Sequence, residues 1–261
     1  MYQLLQLSPQ SLKMKMKSAK DARQKKKYFI AMTVRSILLL FFAIFYISLF
    51  TQVFGSENSS VAVGSFCMLL GIRFVSYGYE IKESLLAFGI VLSLNYFGGI
   101  ASLLGNNVGK LILHFLFLLV ILILVANDPI MGNAGIYVFS YLFIVESPVT
   151  GQALHLRAMA LVFVFLSCGI IMYSKHKNKH QAFYLKDVFK SFCLKERKTL
   201  WQIRLASGVS MALFIGHILQ LPRTVWIGYA CMSILLPYSN QLFTRAFIGS
   251  VAKFQIHYQI R

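Results

Sequence analysis

Charged side chains are scarce in this chain of 261 residues, where they make up 13% of the total against 57% hydrophobic residues. A soluble domain usually carries about 25% charged residues, so this chain has too few to cover a water-facing surface. The mean hydropathy of +0.67 agrees with that conclusion. Lipid is therefore the expected solvent for most of the chain.

Acidic residues are scarcer still, with 8 Asp and Glu against 26 Lys and Arg and a net charge of +18. The basic residues stand in short blocks between long apolar runs, which is typical of topology determinants and of contacts to anionic lipid headgroups. A nucleic-acid binder would concentrate them on one folded surface. We therefore expect membrane lipids as partners and no nucleic acid.

Sequence motifs for metal or nucleotide chemistry are absent. The four cysteines show neither C-x-x-C spacing nor a Cys/His ligand pattern, so no metal site is expected. There is no G-x-x-x-x-G-K-[ST] phosphate loop, H-E-x-x-H metal helix or G-x-S-x-G nucleophile turn. The sequence thus predicts a protein that is not an enzyme and has no cofactor.

Eight apolar runs make up most of the chain. Lipid cannot satisfy backbone N–H and C=O groups, so such runs are expected to be helices, and the alternation of barrel strands is absent. The predicted fold is an all-α polytopic helical membrane protein. The candidate spans cover residues 29–54, 60–77, 85–104, 109–126, 134–150, 156–174, 205–220 and 225–243.

The distribution of basic residues predicts the orientation. With the N-terminus in the cytoplasm, 22 of the 26 Lys and Arg residues fall on the cytoplasmic side. Only Lys110, Arg157 and Arg223 fall outside, and Arg35 lies within the first span. This bias is the one that sets topology during insertion. We expect a multi-pass protein of the cell membrane with an uncleaved first span.

The chain divides into five predicted sections. Residues 176–200 place apolar side chains at helical spacing among charges, which indicates either an amphipathic cytoplasmic helix or a charged linker with one packed face. The sections are a basic cytoplasmic segment (1–27), a first transmembrane domain of about six helices (28–174), the basic amphipathic segment (175–203), a partial second repeat of two helices (204–245) and a polar tail (246–261).

A partial internal repeat links the two transmembrane sections. Val61, Gly64, Cys67 and Met68 recur 164 residues later in Val225-Trp-Ile-Gly-Tyr-Ala-Cys-Met232. Internal repeats are a common plan of transporters. The arrangement is six spans plus two, so the second set looks incomplete. We expect either a truncated product or self-association into a homo-oligomer, although no G-x-x-x-G motif lies within a predicted span.

Several segments resemble the fusaric-acid-resistance-like family of the aromatic acid exporter superfamily. They are Phe54-Gly-Ser-Glu-Asn-Ser-Ser60, Glu146-Ser-Pro-Val-Thr150 with Arg157 beyond it, and the stretch from Trp201 to Val251 with Pro237 and Arg245-Ala-Phe-Ile-Gly249. The resemblance covers roughly residues 28–251. It implies a multi-pass membrane protein that exports aromatic carboxylates or conducts organic anions, with a small organic anion as its cargo.

Ionisable residues within apolar spans are costly, so each is a candidate for function. Glu146 precedes Ser147-Pro148, where a broken helix opens backbone carbonyls beside a carboxylate and suits a proton site. His114 and His217 fall in or near the outer halves of their spans and can change protonation near neutral pH. The alternatives are contact with interfacial water for Glu146 and neutral interhelical hydrogen bonds for the histidines.

Other polar residues are candidates for binding a substrate anion. Arg35 and Arg204 each open an apolar span at the cytoplasmic side, where they could attract a carboxylate or extend to lipid headgroups. Asn95 and Asn240 could contact the substrate, although hydrogen bonding between helices is the commoner use of asparagine in membranes.

Three functions stay open on this evidence. The first is a secondary, proton-coupled efflux transporter of organic or aromatic carboxylates. The second is an organic-anion channel, in which basic residues line a pore and nothing binds protons. The third is a non-transporting membrane scaffold or truncated fragment that binds lipids or partners through its basic segments.

Overall fold

The computed structural model describes residues 9–18, 21–129, 133–178, 184–190 and 192–238. Within those ranges the chain folds into α-helices joined by turns, and no described residue belongs to a β-strand. The all-α class expected from the sequence is therefore confirmed. The physical cause is that apolar surroundings force backbone polar groups to pair within each segment.

Ten α-helices make up the described part of the chain, and each of the eight apolar runs corresponds to one of them. A 3-10 helix, Ser56–Asn58, lies between the second and the third. The α-helices in chain order are α1 (Pro9–Ser18), α2 (Ala22–Phe54), α3 (Ser59–Ile72), α4 (Ile81–Ala101), α5 (Asn107–Val125), α6 (Asn133–Val145), α7 (Gln152–His176), α8 (Leu185–Lys190), α9 (Arg197–Ile218) and α10 (Val225–Leu235).

Helix α2 begins within the basic segment of the sequence. The Asp21 carboxylate caps it by accepting a hydrogen bond from the backbone N–H of Arg23 at 3.0 Å. Gly55 ends it, because a φ of +87° is closed to a continuing helix. With 33 residues the helix is about 50 Å long. Its apolar part can therefore span a bilayer core of about 30 Å while its basic first turns remain outside.

The later helices share one apolar core. Helix α5 packs against α9, α3 against α6, α4 against α7, and α9 against α10. Fully buried side chains at the centre include Leu118 of α5, Val138 of α6 and Leu205 of α9. In contrast, only Ala31 and Phe50 of α2 are buried. The bundle is thus built from α3 to α10, with α2 along its edge.

Among the described residues, four helices are long and apolar enough to cross a membrane: α2, α4, α5 and α7. Several apolar helices of this kind agree with a multi-pass protein, but the predicted number of eight spans is not confirmed. Helices α3, α6 and α10 have 14, 13 and 11 residues, and 13 residues reach only about 20 Å. Helix α9 has 22 residues, but Gln202, Arg204 and His217 interrupt its apolar surface.

The predicted amphipathic helix over residues 176–200 is wrong in its extent. Helix α7 runs to His176, α8 covers only Leu185–Lys190, and residues 192–196 form a turn that precedes α9. Residues 179–183 and 191 lie outside the described residues. Val188 is buried, and the backbone N–H of Leu185 donates to the Glu83 carboxylate at 2.6 Å. The described part of this segment is therefore tied to the start of α4.

The two copies of the internal repeat are both helices, α3 and α10. Both matched glycines are close to α6: a Cβ at Gly64 would lie 3.1 Å from Ser140, and a Cβ at Gly228 would lie 3.1 Å from Leu142 and 3.3 Å from Leu213 of α9. The Ser140 hydroxyl also donates to the Gly64 carbonyl at 3.2 Å. The repeated segments therefore pack on one shared helix through their smallest residue. The predicted polar tail, 246–261, lies outside the described residues.

Candidate functional site

Four turns lie together at one end of the bundle, which we call the distal end because it is opposite the start of α2. They are residues 55–58, 102–106, 146–151 and 219–224. Contacts across the turns join them: the Asn58 side-chain amide donates to the carbonyl of Ala153 at 3.2 Å, 95 residues along the chain. The other end is the proximal end. Glu146, His114 and His217 all lie at the distal end.

Glu146 and His217 lie within ion-pair distance of each other, between the end of α6 and α9. Helix α6 ends at Val145, directly before Glu146-Ser147-Pro148, as the sequence predicts, because proline disfavours helix in the residue before it. The Glu146 Oε1 atom lies 3.2 Å from His217 Nε2, with side-chain exposures of 12% and 29%. The contact has the distance of an ion pair without the alignment of a hydrogen bond. His217 also lies in the last turn of α9, where a helix favours positive charge.

His114 is buried and held by a tyrosine of α6. Its Nδ1 atom lies 2.7 Å from the Tyr141 hydroxyl, and both side chains are at most 2% exposed. Gly98 of α4 makes room for the tyrosine ring, since a Cβ there would lie 2.6 Å from the Tyr141 Cε2 atom. The Nε2 atom of His114 has no hydrogen-bond partner among the described residues. A buried polar atom of this kind calls for a ligand or a water.

A small cavity separates His114 from His217. The centre of a water molecule has about 10 Å³ of room in it, which suits a single water rather than an organic acid. One charged group, Lys110, contributes to its wall. The residues around it are Asn107, Lys110, Leu111 and His114 of α5 and Ser210, Leu213, Phe214 and His217 of α9. The cavity therefore collects basic and polar groups at the α5–α9 contact.

Arg157 is the functional candidate that sequence reasoning missed. It is 1% exposed, near the start of α7. Its Nε donates to Asn58 Oδ1 at 2.9 Å, and its Nη2 donates to the Ser147 carbonyl at 2.8 Å. Nη1 has no partner, and no carboxylate among the described residues lies within 4 Å. The available signal was an arginine just inside an apolar run, which charge counting assigned to the outer side of the membrane without predicting its burial.

Glu146, His217, His114 and Lys110 form what we call the distal cluster. The remaining predicted site residues lie elsewhere. Asn95 is buried, but its side-chain amide donates to the Val91 carbonyl of its own helix at 2.8 Å. Arg35 lies at the proximal end, and Arg204 is exposed on α9, 13 positions before His217. That separation is about 20 Å along a helix. Asn240 lies outside the described residues.

Metal ligands are not gathered anywhere in the described part of the chain: no group of three or more His, Cys, Asp or Glu side chains could hold an ion. The four cysteines are free. No protein-family model, curated protein or solved structure matches this chain. The residues at the distal end are therefore the feature of this chain that bears on its function.

Proposed function

We propose that this chain is a multi-pass membrane transporter for the secondary, proton-coupled efflux of organic, and in particular aromatic, carboxylates. The Glu146–His217 pair carries the proposal. It places an acid and a base in contact at the end of an apolar bundle, beside a cavity with Lys110 and His114 in its wall. Ionisable groups in such a place are costly, and proton pathways are a recurring reason for their presence.

The pair has two states with different charge. When Glu146 is ionised and His217 is protonated, they attract each other and hold α6 against α9. A proton on Glu146 removes that attraction and leaves a positive His217 next to Lys110. Two positive groups then face the cavity and attract a carboxylate. Proton binding and anion binding thereby favour each other, which is the coupling that a secondary transporter requires.

Transport also requires the α5–α9 contact to open, because the cavity in this conformation has room for one water. The ion pair joins α9 to the rest of the bundle at the distal end. At the proximal end, the Gln202 side-chain amide of α9 donates to the carbonyls of Leu122 and Ala126 at 3.1 and 3.4 Å. Release of the Glu146–His217 pair would let α9 pivot about this proximal attachment.

The proposal includes the finer topology expected from the sequence: eight spans as six plus two, the N-terminus in the cytoplasm, and the cell membrane as location. Each of the eight apolar runs forms a helix, which supports it. The short helices α3 and α6 pack on each other and on longer helices. Membership of the fusaric-acid-resistance-like family is part of the same proposal and depends on the sequence resemblance alone.

Flux measurements test the proposal. The purified chain in proteoliposomes should move radiolabelled benzoate faster when a pH gradient is applied. Glu146→Gln should remove the response to the gradient, because an amide cannot take up the proton. Glu196→Gln is the matched control, since Glu196 lies at the proximal end and its side chain makes no capping bond to α9.

The alternative functions are outcomes of the same experiment. Benzoate flux that ignores both the gradient and Glu146→Gln would overturn the coupled mechanism and support an organic-anion channel. A chain that is folded in detergent yet moves no anion in either condition would support a scaffold. A gradient response that Glu146→Gln leaves intact would overturn the assignment of the proton site.

A further inference from the structure

The cavity between α5 and α9 leads inward from the distal end of the bundle. The two helices run antiparallel, since Gln202 near the start of α9 donates to the Ala126 carbonyl directly after α5. Asn107 and His114 of α5 both line the cavity, and the seven positions of helix that separate them rise about 10 Å. Asn107 is exposed, whereas His114 and Ser210 of α9 are at most 2% exposed. The cavity therefore has a mouth at Asn107 and a buried inner end at His114 and Ser210.

The contact with Tyr141 determines which nitrogen of His114 carries the proton. The Tyr141 hydroxyl lies 2.7 Å from Nδ1, which is its one hydrogen-bond partner among the described residues. In a neutral imidazole, a proton on Nδ1 would leave both the tyrosine O–H and the Nε2 lone pair buried without a partner. A proton on Nε2 lets the hydroxyl donate to Nδ1 and leaves a single unpaired group, the Nε2–H. His114 therefore has a hydrogen-bond donor at Nε2.

The wall of the cavity carries a positive charge that no described carboxylate balances. Lys110 lines the cavity and is half-buried, and no acidic side chain among the described residues lies within 4 Å of its ammonium. Glu146 and His217 lie 3.2 Å apart, so the charges of that pair offset each other. Lys110 and His114 are four residues apart on α5, which puts their Cβ atoms about 5–6 Å apart on one face. An ammonium and an N–H donor side by side, away from bulk water, favour an anion over a water molecule.

The size of the cavity and its apolar walls select one class of anion. About 10 Å³ is open to the centre of a water molecule, and a halide ion is only slightly larger than water. Sulfate, phosphate and benzoate contain several heavy atoms, so they need the α5–α9 contact to open. The side chains of Leu111, Leu213 and Phe214 also line the cavity and offer no hydrogen bond to a strongly hydrated divalent ion. A monovalent ion of a single atom is therefore the best match.

We propose that this cavity binds one chloride ion between the Lys110 ammonium and the Nε2–H of His114. Tyr141 keeps His114 in the tautomer that donates to the ion. Bound chloride neutralises Lys110, and it thereby removes the charge that draws a carboxylate into the cavity. Binding of chloride does not require transport. Its further role, as a competitor of the exported carboxylate, rests on the proposed function.

Chloride NMR of the full chain in detergent tests the site, because exchange with a protein site broadens the signal of the free ion. With gluconate as the balancing anion, the wild-type chain should broaden the chloride signal. Bromide should reverse the broadening, whereas sulfate at equal ionic strength should not. Lys110→Met should weaken binding about tenfold or more, since it removes a charged donor. Lys82→Met is the matched control, because Lys82 is exposed at the proximal end.

Nitrogen NMR of isotope-labelled histidine tests the inner donor. The Nε2 signal of His114, assigned by its loss in His114→Gln, should be that of a protonated nitrogen. Addition of bromide should shift it in the wild type and in Lys82→Met. Lys110→Met should largely abolish that shift at the same bromide concentration. Lys110 is half-buried, so its variant keeps the site testable even if His114→Gln fails to fold.

Three results would overturn the site. One is equal chloride broadening by the wild type and Lys110→Met, which would assign the cavity to a water molecule. The second is an equal loss in Lys82→Met and Lys110→Met, or displacement of chloride by sulfate as well as by bromide, since both would mean diffuse attraction. The third is an Nε2 atom of His114 that carries no proton.

Flux measurements separate this site from the proposed function. Chloride binding that depends on Lys110, in a chain that moves no benzoate, would support the site and reject transport. Benzoate flux that responds to the gradient, in a chain without such binding, would reject the site alone. Replacement of chloride by gluconate should raise benzoate flux, and unchanged flux would overturn the role of chloride as a competitor.

Discussion

Arg157 and Asn58 are 99 residues apart in the chain, and the Nε of the first donates a hydrogen bond to the Oδ1 of the second at 2.9 Å. The Asn58 amide in turn donates to the carbonyl of Phe54 at 2.9 Å. Arg157 also bonds the carbonyl of Ser147. One buried arginine thereby joins the end of α2, the start of α3 and the turn that presents Glu146.

Replacing Arg157 should destabilise the distal end. Arg157→Met removes the hydrogen bonds to Asn58 and Ser147, and bonds to charged groups contribute about 1.5–3 kcal/mol each. We expect thermal unfolding in detergent at a clearly lower temperature. Arg157→Lys should be nearly as unstable, because a single ammonium cannot reach both acceptors in the same geometry. Wild-type stability in Arg157→Lys would show that charge alone matters here.

The Tyr141 hydroxyl and His114 should be energetically coupled. Tyr141→Phe leaves the buried Nδ1 of His114 without a partner and should cost about 1 kcal/mol of unfolding free energy. A double-mutant cycle with His114→Phe measures the coupling. Hydrogen bonds between membrane helices average about 0.6 kcal/mol, with values up to about 1.7, so we expect a coupling in that range. Strict additivity of the two changes would contradict the contact.

Gly98→Ala should disturb the same pair from the opposite helix. The new Cβ would lie 2.6 Å from Tyr141 Cε2, so the ring must shift, and with it the hydroxyl that contacts His114. Overpacking of this kind costs about 1–3 kcal/mol. Gly105→Ala is the matched control, since nothing lies within 4 Å of a Cβ at that position. Equal melting temperatures for the two variants would be inconsistent with close packing of Tyr141 on α4.

Glu146 and His217 should act as one unit in transport. Glu146→Gln and His217→Gln each remove one member of the ion pair, so each should abolish the response of benzoate flux to a pH gradient. The double variant should be no worse than either single one, because the pair is already lost. The measurement is benzoate flux with and without a pH gradient in the wild type, the two single variants and the double variant. A further loss in the double variant would mean that the residues act separately.

The helices were predictable from the sequence because lipid selects for long apolar segments. The break after Val145 was predictable too, since Pro148 and the polar Glu146-Ser147 stand in an apolar run. The positions of His114 and His217 along their spans were also predictable from the sequence, and both lie near the distal ends of their helices. Such a position follows from counting residues along the span, because each residue of an α-helix adds a fixed rise. Fold class and depth therefore follow from composition and counting.

The partners of each side chain could not be predicted, because in lipid the outside and the inside of the bundle are equally apolar. Arg35 and Arg204 hold equivalent places in the sequence, yet only Arg35 contacts Phe74. Charge counting places Arg157 on the outer side of the membrane, but it does not predict that the side chain is buried. Which face of a helix meets a neighbour depends on the packing order of helices, and hydropathy alone does not contain that order.

The position of α2 at the edge of the bundle has a consequence for biogenesis. It precedes α3 to α10 in the chain and so leaves the ribosome before them, and basic residues beside a span are the kind of feature that sets orientation during insertion. Only Ala31 and Phe50 of this helix become buried in the finished fold. It can therefore stay in lipid where it was inserted while α3 to α10 assemble beside it. The helix that is made before the rest of the bundle is thus the one that folding disturbs least.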